Sequence, residues 1–428
     1  MKAQLISIGN ELLIGDTINT NASWMGQFLT ELGFEVTQVH TISDEPALIQ
    51  NTLRQSLEDA QLVITTGGLG PTHDDLTKKA IADLFGMDMR LDPEVLAFIK
   101  ELFEKRNIPF SASNQEQAEI PDGAEVLFNK AGTAPGIWFD RNGKYVVVLP
   151  GVPYEMKYLM KYRVADKLRE VFGDVGFFHH RYLKTAGIGE STLSDQVLGD
   201  LSGFLNDGVS MAFLPYAGGV TLRLNGSGDT KEEARASVQE LADTIYERAG
   251  HFIFGEGKEL TLSEAVGTAL KKHNLTIATA ESCTGGLVGD HLTNTAGSSA
   301  YVQGGIISYS NSVKVSQLGV TQHDLDSVGA VSKEVALHMA KGVAERLGAD
   351  IGISTTGIAG PGGGTEQKPV GTVWMGFWSA DQHFAVRALF TKDRIMNKQR
   401  TMMVVLEIVR RTISGIEELP YNLQKHTV

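Results

Sequence analysis

Short apolar runs alternate with amphipathic stretches over the first part of the chain. "AQLISIG", "EVTQVH" and "QLVITTGG" are rich in β-branched and leucine residues and end at glycine or polar positions, which predicts three strands. Between them, "NASWMGQFLTEL" puts Trp24, Phe28 and Leu32 on one helical face. "EPALIQNTLRQSLED" does the same with Leu48, Leu53 and Leu57. Strands separated by single helices predict right-handed crossovers and a parallel sheet covered on both sides. Ligands of such a sheet sit at the carboxyl ends of its strands. Two motif-like stretches fall there, "GNELLIGDTINTN" after the first strand and "TTGGLGPTHDDLT" after the third.

The pattern changes between Arg181 and Gly255. "RYLKTAG", the helical "GESTLSDQVLGDL", the strands "VSMAFLP" and "GVTLRLNG" and the helix "TKEEARASVQELADTIYERAG" predict a small α+β module. It shows no titratable cluster and reads as a spacer or dimer element. A second α/β region follows, with "TIATAE", "AYVQGGIISYSN", the helix "SKEVALHMAKGVAERLG", the strand that begins "ADIGISTTG", the strand "HFAVRALF" and a long last helix from about Arg394. The expected division is three domains: a doubly wound α/β domain over 1–175, a small α+β module over 176–255 and an α/β domain over 256–428.

Composition narrows the class. The 428 residues are 42% hydrophobic and 21% charged, as in a globular protein. One cysteine excludes an internal disulfide framework and a cysteine-rich zinc site, and points to a reducing cytoplasm. The opening "MKAQLISIGNELLIG" is broken by Asn10 and Glu11 and reads as a buried strand, not a signal peptide. No run approaches the ~20 apolar residues of a membrane helix, so no membrane association is expected. A formal charge of −13 argues against direct nucleic-acid binding.

Candidate chemistry concentrates in three later stretches. In "TIATAESCTGG" a strand-to-helix turn carries Ser282, Cys283, Thr284 and Gly285. Ser282 or Thr284 suits a helix cap, Cys283 a small buried apolar residue, and any of the three a nucleophile. "GGIISYSNSVK" places Tyr309 at a strand end and Lys314 in a helix capped by "SNS". An amine or phenolate there can take a serine proton once burial or a nearby charge lowers its pKa. Free amides at the helix start after Ser282 are the expected oxyanion hole. In "GIAGPGGGTEQKPVGTVW", Gly360, Gly362 and Gly363 supply the freedom and amides to wrap a phosphate, or simply a hairpin loop.

Towards the amino terminus, Gly67, Gly68 and Gly70 precede Asp74 and Asp75, a phosphate-loop pattern or an acidic helix start. His73 alone is no metal ligand. Glu11, Asp16, Asp44 and Glu155 lie in or near loops that converge on the same sheet edge, and such carboxylates suit a magnesium-like ion bridging phosphates.

"ESCTGG", "YSNSVK" and "GIAGPGGGTEQKPVGTV" together resemble the competence/damage-inducible CinA family, and the resemblance spans the whole chain. It implies a carboxy-terminal nicotinamide mononucleotide deamidase that needs no cofactor. Ser282 would be the nucleophile, helped by Tyr309 and Lys314, with Cys283, Thr284, Gly285 and the glycine loop at the substrate. In "FTKDRIMNKQR", Arg394 matches the family's basic stretch, but Lys398 stands where arginine is expected, which keeps charge and loses bidentate geometry. "GTAPG" and "LPGVP" resemble the molybdopterin-binding fold. For that domain the resemblance implies ADP-ribose pyrophosphatase activity with a divalent metal, at Asp74 and Asp75. The implied protein is a cytoplasmic homodimer of pyridine-nucleotide salvage. The rival reading is a pterin- or nucleotide-binding scaffold for competence or recombination without turnover.

Overall fold

The computed structural model describes residues 1–427 apart from 71–75, 106, 108, 174 and 175. Their contacts group into two compact units, Met1–His179 with Ser227–Arg235, and His180–Gly226 with Ala236–Val428.

The first unit is built on β1 (Lys2–Ile8), β2 (Glu35–Ile42) and β3 (Leu62–Thr66), followed by a separate ribbon of β4 (Met89–Leu91) with β5 (Glu119–Pro121), then β6 (Glu125–Leu127), β7 (Gly136–Arg141) and β8 (Lys144–Leu149). The main sheet has the order β2-β1-β3-β8-β7-β6. Its first four strands are parallel, as expected, while β7 and β6 add antiparallel. The reversal needs no crossover, because Asn142 and Gly143, at φ 56 and 82, close a two-residue hairpin between β7 and β8. Both faces are covered. Ile6, Val63 and Val148 pack with Ile49, Leu53 and Ile81 on one side, and Leu5, Ile64 and Val147 with Met25, Leu29 and Met156 on the other.

Two helical faces lie one position away from the sequence reading. Helix Thr20–Glu31 buries Ala22, Met25 and Leu29, while Trp24 and Phe28 stack along its flank at 4.9 Å. Ala22, Met25 and Leu29 take the inner row, and the two rings pack against the same core from the side. Helix Pro46–Asp59 buries Ile49, Thr52, Leu53 and Ser56, leaving Leu48 exposed and Leu57 half-buried. Counting only leucines misses a stripe that passes through small polar residues.

In the second unit, β9 (Phe177–Thr185), β10 (Val209–Tyr216), β11 (Gly219–Gly228) and β12 (Ile253–Glu256) form a sheet of order β10-β11-β9-β12. The carboxy-terminal sheet follows, with β13 (Ile277–Glu281), β14 (Val302–Ile307), β15 (Ile351–Gly357), β16 (Thr372–Trp378) and β17 (His383–Leu389) in the order β14-β13-β15-β16-β17. β14, β13 and β15 are parallel, and β16 and β17 antiparallel. Side chains of helices Leu262–His273, Leu287–Thr293 and Arg394–Ile413 join one core, and those of Asn311–Leu318 and Lys333–Leu347 join a second.

The middle module is no free spacer. Glu407, buried in the last helix, accepts from Arg410 at 2.6 Å and from Arg411 at 2.7 Å. Further donors of these arginines reach the module's backbone, Arg410 to the His251 carbonyl at 2.8 Å and Arg411 to that of Ala186 at 3.2 Å, while Arg411 also donates to the Glu418 carbonyl at 3.0 Å. Buried charges persist only when paired and hydrogen-bonded. Separating the module from the last helix would leave one donor of each guanidinium without its carbonyl.

Candidate active site

β13 ends at Glu281, and the chain turns through Ser282–Gly286 into helix Leu287–Thr293. Gly285 and Gly286 occupy left-handed conformations at φ 64 and 99, which a residue with a Cβ adopts only at a cost. Ser282 keeps its amide on the Thr355 carbonyl at 2.9 Å and leaves its hydroxyl facing a buried amine. That amine is Lys314. Its helix, Asn311–Leu318, is capped by the Ser310 side chain, and the side chain turns inward to 1% exposure. Nζ lies 3.1 Å from Ser282 Oγ, 2.6 Å from the Ser308 carbonyl and 3.3 Å from that of Tyr309.

Burial lowers the Lys314 pKa, because the charged ammonium loses its water. In the neutral amine the two carbonyls take the N–H bonds and the lone pair is left facing Ser282. The neighbouring Cys283 behaves oppositely. Burial pushes its thiol up to about 12, so it holds no thiolate at neutral pH.

The helix-start amides are not the free donors expected. The Glu281 carboxylate accepts from Gly286 N at 2.9 Å, Val288 N at 3.0 Å and Gly289 N at 2.8 Å, and from the Thr284 hydroxyl at 2.7 Å. Thr284 and Ser282 therefore do not cap the helix. A strand-end glutamate satisfies the first turn instead. The amides of Thr284 and Gly285 carry no partner among the described residues and are the donors left for an oxyanion.

Tyr309 lies beyond β14 and is 64% exposed. Its hydroxyl accepts from Arg394 at 3.1 Å, and Arg394 also donates to the Gly360 carbonyl at 2.9 Å. Tyr309 thus meets Lys314 through its carbonyl, while its phenol belongs to the arginine. One turn on, Lys398 reaches the turn. A Cβ placed on Gly285 would stand 3.7 Å from its Nζ. Gly360, Gly362 and Gly363 lie in the loop between β15 and β16, with Gly360 and Gly363 at φ 96 and 87. Asn397 pins this loop by donating to the Ala359 and Thr391 carbonyls, both at 2.9 Å.

The second candidate site is a cavity of about 480 Å³ at the carboxyl ends of the first unit's strands, lined by Gly67, Gly68, Gly70, Glu11, Asp44 and Glu155. Parts of "GTAPG" and "LPGVP" complete the wall. Gly67 and Gly68 are required there, since a Cβ would meet the Ile8 carbonyl oxygen at 2.1 Å or Thr77 Oγ1 at 2.0 Å. Asp16 is exposed and is not part of the lining. Asp74, Asp75 and His73 lie outside the described residues. Among those described, no three His, Cys, Asp or Glu side chains gather closely enough to hold a metal ion.

Sequence reading missed several residues at both sites. Asn129, buried in the first unit, accepts from Ala131 N and Gly132 N and donates to Glu155 at 2.6 Å. Gln117 lines the cavity with its Oε1 buried and unpartnered among the described residues. Glu281 was visible only as a carboxylate at the end of an apolar run.

Three family models match the chain: "Probable molybdopterin binding domain" over residues 4–170, "Damage-inducible protein CinA KH domain" over residues 180–255 and "CinA C-terminal domain" over residues 259–413. A CinA-like protein of Salinibacter ruber is 47% identical over 416 residues, which cover 97% of this chain and 100% of that protein. The chain belongs to the CinA family. A CinA-like protein of Chloroherpeton thalassium is 44% identical over 97% of this chain and 100% of its own length. The crystal structure of CinA from Thermoplasma acidophilum, titled as of unknown function, aligns with 39% of this CinA-family chain and 96% of its own at 39% identity, with a TM-score of 0.36. The fold class expected from the sequence holds: a molybdopterin-binding-like α/β domain, a small KH-like module and an α/β carboxy-terminal domain. Among the described residues no helix is long and apolar enough to cross a membrane.

Proposed function

We propose that the carboxy-terminal domain hydrolyses the carboxamide of nicotinamide mononucleotide to the nicotinate form and ammonia. The observation that carries this is the buried Lys314 amine 3.1 Å from Ser282 Oγ, with its pKa lowered by burial. Neutral Lys314 takes the Ser282 proton as Oγ bonds to the carboxamide carbon. The carbonyl oxygen becomes an oxyanion, held by the Thr284 and Gly285 amides. As the C–N bond breaks, the lysine returns the proton to the departing nitrogen, which leaves as ammonia. Water, deprotonated by the same amine, opens the Ser282 ester, and the proton passes back to Oγ. Arg394, fixed between Tyr309 and the Gly360 loop, and Lys398 supply positive charge for the substrate phosphate.

The test is ammonia release from nicotinamide mononucleotide by the full chain. Ser282→Ala is expected to abolish it. Wild-type protein without turnover would overturn the reading and favour a nucleotide-binding scaffold.

A second activity is proposed for the first unit, cleavage of ADP-ribose to AMP and ribose 5-phosphate. It rests on the glycine-floored cavity at the strand ends with three carboxylates in its wall. The metal dependence rests on Asp74 and Asp75 alone. Chelator is expected to stop ADP-ribose cleavage and leave deamidation running in the same tube. Cleavage that continues in chelator would remove the metal from the proposal.

A further inference from the structure

A cavity of about 380 Å³ lies in the second unit, within the range of small-ligand pockets (roughly 300–1,000 Å³). The β10–β11 hairpin forms one wall with Pro215, Tyr216 and Ala217, and the end of β17 and the last helix form the other with Leu389, Phe390 and Val404. It holds none of the residues assigned to either proposed reaction.

Its polar groups are few and unequal. The Tyr216 phenol is committed, donating to the Thr185 carbonyl at 2.6 Å. Glu190 is an exposed carboxylate on the rim and forms no ion pair among the described residues. Arg400 lines the cavity and makes no hydrogen bond or ion pair among the described residues. Elsewhere in the same helix Arg394, Arg410 and Arg411 all have acceptors. Half-buried Arg400 keeps five guanidinium donors to satisfy, and their acceptors come from solvent or from an occupant. Beside it Tyr421 is held in the left-handed region at φ 55, its amide fixed by the Gly187 carbonyl at 2.7 Å. Strained non-glycine residues of this kind concentrate at binding sites. Apolar and aromatic walls around the Arg400 side chain, which has no hydrogen-bond acceptor among the described residues, favour a ligand of matching form.

We infer that this cavity is a second small-molecule site, which takes a planar or apolar-bodied anion whose carboxylate or phosphate pairs with Arg400. The site shares its framework with the Ser282 region. Phe390 leads directly into Thr391, which Asn397 ties to the glycine loop, and Arg400 is three residues beyond Asn397.

The experiment is calorimetric titration of the full chain with 2-naphthoate, alongside its uncharged analogue 2-naphthamide. Naphthoate is expected to bind saturably, one per chain, at least tenfold more tightly than the amide. Arg400→Gln removes that preference without affecting the amide. Ala217→Trp, which fills the space from the hairpin, weakens both at least tenfold. Leu389→Trp does the same from an exposed position on the opposite wall and serves if the hairpin variant misfolds. Ser282→Ala leaves both affinities unchanged, which separates this site from the proposed deamidase centre whatever that centre does. Absence of saturable naphthoate binding overturns the inference. So does binding indifferent to Arg400→Gln and to both tryptophan variants, or binding lost with Ser282→Ala.

Discussion

Glu281→Gln isolates what holds the nucleophile turn in place. Three donors converge on Glu281 Oε2, the Thr284 hydroxyl at 2.7 Å, Gly286 N at 2.9 Å and Val288 N at 3.0 Å, while Oε1 takes Gly289 N at 2.8 Å. Glutamine has nearly the same shape but one acceptor oxygen. The least costly orientation keeps that oxygen on the three donors and points the NH2 group at Gly289 N, donor against donor. A buried amide left unsatisfied costs about 1–3 kcal/mol, and the three surviving bonds lose charge assistance. A net loss of about 2–4 kcal/mol follows, and in a unit of this size each kcal/mol moves Tm by roughly 2–4 °C. Calorimetry should therefore show a fall of about 5–15 °C. Steady-state ammonia release well below the new Tm should show kcat reduced about 10–100-fold with KM within about threefold, since displacement by ~1 Å of a reacting atom is enough for such a loss. Glu281→Asp keeps the charge but retracts it by one methylene and should recover neither the Tm nor the rate fully. A glutamine variant with wild-type Tm and kcat would refute the reasoning, because it would mean that the four bonds do not fix the turn.

Four further predictions concern the same centre. Lys314→Arg keeps a charge that cannot be neutralised near pH 7 and should lose kcat at least about 100-fold with modest change in KM; near-normal turnover would move the base role elsewhere. Because burial places the Lys314 pKa below the ordinary 10.5, kcat/KM should climb with pH through that lowered value. Folding stability should climb across the window from there to the unfolded value, since the fold disfavours the charged form; Lys314→Met should flatten that stability slope, and an unchanged slope would contradict it. Cys283→Ala should leave most deamidation intact, as a thiol raised to about 12 contributes no thiolate; complete loss in a folded protein would reverse the assignment of Ser282. Arg394→Ala should raise KM about tenfold or more and perturb kcat less, because it holds Tyr309 and Gly360 at the substrate side of the turn; an unchanged KM would remove it from substrate binding.

Local signals, a glycine pair after Ser282 and a serine cap before Lys314, marked each stretch, but the pairing of these residues 32 positions apart came from the family resemblance. The parallel pairing of the first strands and the glycine turn after the third were legible from local patterns, and the basic start of the last helix from the resemblance. The residues that escaped share a different property. Glu281 binds three amides, Asn397 two carbonyls, Asn129 two amides and a carbonyl, and Arg411 the carbonyls of Ala186 and Glu418. Most of their partners are backbone groups, beside the Thr284 hydroxyl, the Glu155 and Glu407 carboxylates and the Thr391 hydroxyl. Every residue but proline carries the same N–H and C=O, so a side chain committed to them leaves no complementary residue elsewhere in the sequence to betray it. That also decides how Glu281 should be read. A buried carboxylate beside the proposed nucleophile invites the role of general base, yet it holds four donors of the turn and makes no hydrogen bond to Ser282 among the described residues. Lys314, whose other contacts are two carbonyls, keeps a lone pair facing Ser282 once neutral. The carboxylate holds the turn, and in the proposed reaction the amine 3.1 Å from Ser282 Oγ takes the proton.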